Sequence, residues 1–220
     1  MKTLITNRKS KLVFFGVEGV LLNVVLGGFK DILTFLGKEE DVNKINEEYQ
    51  KRKHLGPWGL ENLVELCKGF SREEFTKISI DYCNKNLMMG AKNLIREIKK
   101  RGFLVGAISS GPQFLLDALN DILDLDFVFG LKIEFKDSIA TGKISRKIDR
   151  FIKVDILKEK MKELNLSKEN VTVIGDSITD IPMAEEAGFF IAFNSKSDEV
   201  KQKANVVVDK KDLKEILKFI

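Results

Sequence analysis

Two carboxylates, Asp176 and Asp180, lie four residues apart after the apolar run Val171 to Gly175. The run is typical of a buried strand, and Pro182 marks a helix start just beyond the second carboxylate. Because no His or Cys stands among them, the pair favours Mg²⁺, a hard cation that takes one or two carboxylates plus water and phosphate oxygens. For Asp180 alone a helix N-cap is an alternative, whereas a carboxylate at the end of a buried strand, as at Asp176, is harder to explain structurally.

Hydroxyl and basic side chains follow two other elements. Ser109 and Ser110 precede Gly111 and Pro112 at the end of an apolar run, and hydroxyls with free backbone N–H groups at a helix start bind anions. Lys153 stands near the start of a later helix, where its charge can neutralise a phosphate. An ordinary capping serine and a solvated lysine are the alternatives.

The first apolar run, Leu12 to Phe15, leads into a loop of Gly16, Val17, Glu18 and Gly19. In an open parallel sheet, ligands bind beyond the carboxyl ends of the strands. The three loops that carry Glu18, Ser109 and Asp176 are therefore expected to meet at one edge.

The elements that must position these residues alternate between helices and strands. Residues 23–87 show mostly helical spacing, and from Gly90 onward helices alternate with apolar strands, with a hairpin between Leu131 and Arg146. This pattern predicts an α/β fold, a doubly wound, Rossmann-like parallel sheet, with a helical cap inserted after the first strand. The predicted core comprises residues 1–22 and 88–220, and the cap residues 23–87.

Five strands and five helices are predicted after the cap, in addition to the hairpin. The strands are Phe103 to Ser109, Phe127 to Phe129 just before the hairpin, Val171 to Gly175, Phe189 to Phe193 and the short Val206 to Val208. The helices are Ala91 to Lys100, Gln113 to Leu123, Lys153 to Leu164, Pro182 to Ala187 and Leu213 to Phe219.

Composition limits the function classes. The chain has 220 residues, 44% of them hydrophobic, and 37 basic against 33 acidic side chains leave a net charge of +4. This profile is typical of a soluble globular protein without a membrane span. The scattered lysines form no stripe for nucleic acid. Cys67 and Cys83 form no pair or zinc motif and are expected to be reduced, and no leader-like segment follows Met1, so a cytoplasmic location is expected.

Taken together, these features resemble the haloacid dehalogenase superfamily, and within it the phosphoserine phosphatase branch. The resemblance lies in the acidic loop after the first strand, the helical insert, the serine after the second strand, the helix-start lysine and the Gly-Asp-x-x-x-Asp motif. The similar stretches are Lys11 to Leu22, Gly90 to Gly111, Lys153 to Lys160, Val171 to Phe193 and Asp212 to Ile220.

The resemblance implies a Mg²⁺-dependent phosphatase of a small phosphorylated metabolite that works through an aspartyl-phosphate. It implies that Ser109 and Lys153 bind phosphate, that Asp176 and the Glu18 main-chain carbonyl bind the metal with support from Asp180, and that the Glu18 carboxyl is the acid/base. Aspartate is the family's residue at that acid/base position, and glutamate keeps the carboxyl on a longer side chain.

The departure that matters most is Gly16, which stands where the family has its nucleophilic aspartate. Without a side chain there is no attack on phosphorus, and one metal-ligating carboxylate is lost. The sequence thus predicts an inactive or strongly impaired phosphatase. The alternative is a non-catalytic protein that binds a phosphorylated ligand or serves a regulatory role on the same fold.

The substrate determinants also depart from the branch. Val25 stands at about the position of an acidic residue that pairs with the substrate amine, and Arg52 is only a loose match for the arginine that binds the substrate carboxylate. Phosphoserine is therefore a less secure substrate than the phosphatase fold. The segment of His54 and Trp58 is either a lid loop that presents both to a ligand or, slightly favoured, a turn with Trp58 packed between helices.

A dinucleotide-binding oxidoreductase is a third hypothesis, suggested only by Gly16 and Gly19 after the first strand. The full glycine fingerprint is absent, the insert interrupts the expected crossover, and Glu18 would repel a pyrophosphate. The sequence therefore disfavours this class.

Overall fold

The computed structural model describes residues 11–24, 26–52, 54–55 and 58–220. The described residues form one sheet of seven strands in the order β4-β3-β2-β1-β5-β6-β7. Neighbouring strands are parallel except for the antiparallel pair of β3 and β4. The strands are β1 Leu12–Phe15, β2 Leu104–Pro112, β3 Phe127–Lys136, β4 Ile139–Arg146, β5 Val171–Gly175, β6 Phe189–Phe193 and β7 Val206–Val208. The predicted α/β fold class is confirmed.

The register of the central strands explains why the three loops meet. Phe15 at the end of β1 pairs with Ala107 of β2 on one side and with Ile174 of β5 on the other. The backbone N–H of Gly16 still donates to the Ile174 carbonyl at 2.8 Å, so the chain leaves β1 beside the end of β5. Residues that follow the three strands therefore lie side by side.

Helices cover both faces of the sheet and fill the long connection after β1. They are α1 Gly28–Phe35, α2 Glu39–Arg52, α3 Leu60–Glu65, α4 Arg72–Asn86, α5 Ala91–Lys100, α6 Gln113–Leu123, α7 Arg150–Glu163, α8 Ile181–Glu185 and α9 Asp198–Lys203, with 3₁₀ turns at Lys168–Asn170 and Leu213–Phe219. Helices α1 to α4 occupy the stretch with predicted helical spacing, and the division into core and cap stays a prediction. Within the described ranges, no helix is long and apolar enough to cross a bilayer.

Alternate residues of β1 supply two separate clusters of the hydrophobic core, because successive side chains of a strand point to opposite faces. Leu12 and Phe14 belong to one cluster, and Val13 and Phe15 belong to the other. All four are at most 1% exposed, as a central strand covered on both faces requires. Cys67 and Cys83 are buried and free.

The structure differs from the sequence prediction mainly at the ends of elements. Strand β3 continues from the sheet into the hairpin, so the strand predicted to end at Phe129 runs to Lys136. Helix α7 begins at Arg150 rather than Lys153, because Asp149 caps it through bonds from the backbone N–H groups of Phe151 and Ile152 at 2.9 and 3.1 Å. The predicted closing helix is a 3₁₀ segment, and α9 was not predicted.

We expect Asp149→Ala to lower the free energy of unfolding by about 1 kcal/mol, because it removes the side-chain cap of α7. The matched control is Asp155→Ala, which changes an exposed aspartate of the same helix and should cost about 0.5 kcal/mol or less. Urea unfolding of the three proteins measures the difference. Equal midpoints for the two variants would show that the cap contributes no special stability.

Candidate active site

A cavity of about 910 Å³ opens at the carboxyl edge of the sheet, between the strand-end loops and the helices that follow β1. We call it the central cavity. Its lining residues from the strand-end loops and α7 include Gly16, Glu18, Gly19, Ser109, Ser110, Asp149, Arg150, Lys153, Asp176, Ser177, Thr179, Asp180 and Lys196; those from the connection after β1 and its helices include Val24, Leu26, Tyr49, Trp58, Leu60, Leu63 and Met88. The six predicted site positions, which are Gly16, Glu18, Ser109, Lys153, Asp176 and Asp180, thus line one cavity.

Lys153 and Asp180, which both line the central cavity, form a buried ion pair. The Lys153 ammonium lies 3.1 Å from Asp180 Oδ1, and the two side chains are 6% and 3% exposed. Asp180 Oδ2 accepts from the backbone N–H groups of Asp176 and Ser177 at 3.2 and 3.3 Å. Although Asp180 precedes α8, its side chain makes no capping hydrogen bond. The interpretation of Asp180 as merely an N-cap is therefore wrong, and so is that of Lys153 as a solvated lysine.

Asp176 carries negative charge that its surroundings do not neutralise. Burial is the main reason that the pKa of its carboxyl rises to about 7, and the neighbouring charges of Asp180 and Glu18 raise it further against the opposing effect of Lys153. Its carbonyl oxygen accepts a hydrogen bond from the buried Ser195 hydroxyl, which fixes the backbone. A partly buried carboxylate with a raised pKa is a common feature of functional sites.

Glu18 and Ser109 lie close together in the central cavity. The Ser109 hydroxyl lies 3.5 Å from Glu18 Oε2 and accepts from the Gly111 backbone N–H at 2.8 Å. Helix α6 begins after Pro112 without any side-chain cap, so Ser109 is not its capping residue. Glu18 Oε1 also lies near the start of α1, where a Cβ placed on Gly28 would be 3.3 Å away. The partial positive charge of a helix N-terminus stabilises a carboxylate there.

Gly16 has room for a side chain. A Cβ placed on it would lie 3.4 and 3.5 Å from the two Asp180 carboxylate oxygens and 3.5 Å from Val20, which is ordinary contact. Its φ is not in the left-handed region, unlike that of Gly19, where φ is +82° and a Cβ would come within 2.1 Å of Asp176. The fold therefore requires glycine at position 19 but not at position 16.

The carboxylate oxygens at this edge of the sheet suit a hard cation, but few of them are available to bind one. Across the residues that the structure describes, no group of three His, Cys, Asp or Glu side chains is arranged to hold a metal ion. Lys153 already engages Asp180, so the partly buried Asp176 is the better candidate for a metal-binding carboxylate. One or two carboxylates completed by water and phosphate oxygens are a usual Mg²⁺ environment, so the residues fit this ion as a weak site.

The wall contributed by the connection after β1 is mostly apolar. It consists of Val24, Leu26, Leu60, Leu63 and Met88 with the rings of Tyr49 and Trp58 and the amide of Asn23. Trp58 therefore lines the cavity. Its ring also contacts the Arg52 guanidinium, which lies 5.6 Å from the ring centre. Among the described residues, no charged side chain of α1 to α4 lines the cavity.

Other predicted substrate determinants lie away from the central cavity. Arg52 is an ion-pair partner of Glu48 on the exposed side of α2 and does not line the cavity, so it is a poor match for a substrate arginine. His54 is exposed and is also not among the lining residues. Val25, at the position expected to face a substrate amine, lies outside the described residues.

Several polar residues of the cavity wall were missed by the sequence analysis. They include Arg150, Ser177, Thr179 and Lys196. Ser177 and Thr179 lie inside the Gly-Asp-x-x-x-Asp loop, and their hydroxyls are 2.8 Å apart. Arg150 precedes Lys153 by three residues, so helical spacing would have placed it on the same face had the start of α7 been predicted correctly.

A model of the haloacid dehalogenase-like hydrolases matches residues 10–188. The chain belongs to this family. It is 32% identical over 212 residues to a phosphoserine phosphatase of Archaeoglobus fulgidus, covering 94% of this chain and 59% of that protein. It is 31% identical to the phosphoserine phosphatase of Methanocaldococcus jannaschii, covering 97% of this chain and 99% of that one.

Solved structures agree with the family assignment. A phosphoserine phosphatase in apo form aligns with a TM-score of 0.80 at 30% identity and covers 96% of this chain and 100% of its own. A phospho-aspartyl intermediate analogue of phosphoserine phosphatase aligns with a TM-score of 0.81 at 30% identity, covering 97% and 100%. The chain thus lies in the phosphoserine phosphatase branch of the family, as its sequence motifs indicate.

We expect Asp176→Asn to stabilise the metal-free protein at pH 8, because it removes a charge that is disfavoured first by burial and then by the neighbouring charges of Asp180 and Glu18. A gain of about 1 kcal/mol corresponds to about 2 to 4 °C in Tm for a chain of this size. Thermal unfolding in a chelator measures it, with the exposed Asp155→Asn as the control. In excess Mg²⁺ the original protein should gain stability that the variant does not. A lower Tm for Asp176→Asn in the chelator would contradict the inferred repulsion.

Proposed function

We propose that this chain binds a small phosphomonoester together with Mg²⁺ in the central cavity, and that it is a phosphatase with strongly impaired turnover. The observation that carries the proposal is Gly16, whose side-chain position has space and lies beside Asp180, in the cavity that Asp176 and Glu18 also line. Groups suited to hold and cleave a phosphate ester surround a position that lacks a nucleophile.

Lys153 and Ser109 are the proposed phosphate ligands. The Lys153 ammonium is fixed by Asp180 and lines the cavity, so its remaining protons can be donated to phosphoryl oxygens. The Ser109 hydroxyl is oriented by the bond that it accepts from the Gly111 backbone. Since both are held in place before a ligand arrives, binding costs little side-chain ordering.

Asp176 and the main-chain carbonyl of Glu18 would hold Mg²⁺, with Asp180 as a supporting carboxylate. When bound, the ion supplies positive charge that neutralises the phosphoryl oxygens and the unneutralised charge of Asp176. Asp180 contributes mainly by keeping Lys153 and the backbone of residues 176 and 177 in position. Loss of the carboxylate at position 16 leaves this site with fewer ligands and a lower affinity.

Glu18 is the proposed acid/base. Its carboxyl lies beside Ser109 and near Gly27 and Gly28 at the start of α1. In this proposal the leaving alcohol lies on that side. There it can give a proton to the leaving oxygen and later take one from water. It cannot replace the nucleophile as well, because an attacking group displaced by two residues misses the in-line geometry.

A second function is a non-catalytic protein that binds a phosphorylated ligand. Gly16 favours it, because Ser109, Lys153 and Asp176 suffice for binding while glycine abolishes covalent attack. Turnover separates the two functions, since both predict binding. We further propose that residues 23–87 act as a cap whose apolar wall contacts the alcohol part of the ligand.

Gly16→Asp should raise phosphatase turnover by on the order of a thousandfold or more, because it restores a nucleophile among positioned binding groups. The measurement is hydrolysis of an aryl phosphate in Mg²⁺, together with trapping of the acyl-phosphate by borohydride reduction. The matched control is Gly16→Asn, which adds the same volume without a nucleophile and should stay inactive.

Robust turnover by the unsubstituted chain would contradict the impaired-phosphatase proposal. If Gly16→Asp binds inorganic phosphate and Mg²⁺ but remains inactive, the result supports the non-catalytic function over the phosphatase. Fluorescence of Trp58, which lines the cavity, gives a binding signal that does not depend on turnover.

Phosphoserine should bind more weakly than 3-phosphonooxypropanoate, the same acid without the ammonium group, because no acidic side chain of α1 to α4 among the described residues lines the central cavity. Burying an unpaired ammonium against an apolar wall costs free energy that a methylene group does not. Competition calorimetry of phosphoserine, 3-phosphonooxypropanoate and inorganic phosphate measures the order. Tight, selective phosphoserine binding would show that the cap provides an acid after all.

A further inference from the structure

Arg150 lines the central cavity but takes no part in the phosphate site proposed above. It is the first residue of α7 and lies three residues before Lys153, which puts the two side chains on one helix face about one turn apart. Lys153 pairs with Asp180 and is the proposed ligand of the first phosphate. Arg150 therefore presents a second cationic group beside the first.

One donor of the Arg150 guanidinium, the Nε–H, lacks a hydrogen-bond partner among the described residues. This nitrogen is buried. The neighbouring carboxylate of Asp149 is occupied by the backbone N–H groups of Phe151 and Ile152. The guanidinium lies over the Phe151 ring, 5.1 Å from its centre, which restricts its orientation but gives the Nε–H no acceptor. A buried donor without a partner is destabilising, so an arrangement like this needs an explanation.

The rest of the cavity does not supply an acceptor of the required charge. Asp180 pairs with Lys153, Glu18 lies beside Ser109 near the start of α1, and Asp176 lies where a cation is proposed. The wall from the helical connection is apolar apart from the Asn23 amide and the Tyr49 hydroxyl. An anionic group of the ligand would accept hydrogen bonds from the guanidinium, whose planar arrangement of N–H donors suits a carboxylate or a phosphate.

We propose that Arg150 is a specificity-determining residue that binds a second anionic group, a carboxylate or a second phosphate, on the ligand whose first phosphate lies at Lys153. This inference rests on the proposed function. One helical turn between the two cations implies a short spacer, on the order of two to four carbons, between the anionic groups. The preferred ligand is then a short phosphorylated acid or bisphosphate without an ammonium group.

The test compares matched probes with the unsubstituted chain in Mg²⁺. They are inorganic phosphate, alkyl phosphates of two to four carbons, phosphonooxy-alkanoic acids of the same lengths, and the corresponding alkanediol bisphosphates. Calorimetry should show that the best acid or bisphosphate binds about tenfold or more tightly than its alkyl counterpart, as a charge-assisted bidentate pair would give. Comparison of the acids with the bisphosphates shows whether Arg150 prefers a carboxylate or a second phosphate.

Three variants separate specificity from folding. Arg150→Met should abolish the preference for the second anion while inorganic phosphate and alkyl phosphates bind within about twofold of the original. Arg150→Lys should recover only part of it, because a lysine keeps the charge and loses the planar arrangement of N–H donors. Arg146→Met, at the exposed end of β4 and outside the cavity, is the control and should change nothing.

The outcomes are distinct. Equal affinity of the original chain for acids, bisphosphates and alkyl phosphates would overturn the inference, and so would a preference that survives in Arg150→Met. If Arg150→Met weakens inorganic phosphate as much as the acids, Arg150 belongs to the phosphate site and the inference is also wrong. If no phosphorylated probe binds the original chain, the proposed function fails and this inference fails with it.

Discussion

The buried ion pair of Lys153 and Asp180 is the interaction on which the rest of the site depends. It joins the first turn of α7 to the loop after β5, and the second oxygen of Asp180 holds two backbone N–H groups of that loop. Replacing a buried ion pair by apolar residues is often neutral or stabilising, whereas removing one partner costs about 3–5 kcal/mol. Stability alone is therefore a weak reason for this pair. Its geometry has a clearer use, because it holds a cation at a fixed point of the strand-end edge.

The same edge concentrates more negative than positive charge around that lysine. Glu18, Asp176 and Asp180 all line the cavity. Burial is the main cause of the raised pKa of Asp176, and the charges of Asp180 and Glu18 raise it further. Under the proposed function, a metal ion and a phosphate together would restore the balance, since the ion would neutralise the carboxylates and the phosphate would pair with the ion and with Lys153. That proposal makes the site complementary to the two ligands together rather than to either one alone.

Much of this arrangement could be predicted because strand ends and loop motifs are local features. The buried strand β5 and the spacing of Asp176 and Asp180 place two acids at the ligand edge, and the pairing of parallel strands then brings Ser109 and Glu18 to the same edge. The start of α7 was placed three residues late, because the capping role of Asp149 is not visible in apolar periodicity. Arg150 was missed for that reason.

Contacts between distant segments were not predictable in the same way. The apolar wall formed by Leu60, Leu63 and Met88 depends on how the helices after β1 pack over the sheet, which single-sequence spacing does not specify. The partner of Lys153 is likewise 27 residues away, so burial and pairing became visible only in the structure. The Ser109 bond to Gly111 is local, but helix capping was an equally plausible use of that serine.

Glu18 bears on whether Gly16 marks a lost activity or a binding protein. A carboxylate 3.5 Å from the Ser109 hydroxyl stands close to the proposed phosphate position, and an ionised acid there repels a phosphate dianion. A protein that only binds phosphate is better served by a neutral residue at position 18. A phosphatase needs an acid at that point to protonate the leaving oxygen, and the repulsion is then offset by the metal ion and by the N-terminus of α1. Since the fold also leaves space for a side chain at position 16, the geometry of Glu18 favours a catalytic pocket from which the nucleophile is missing.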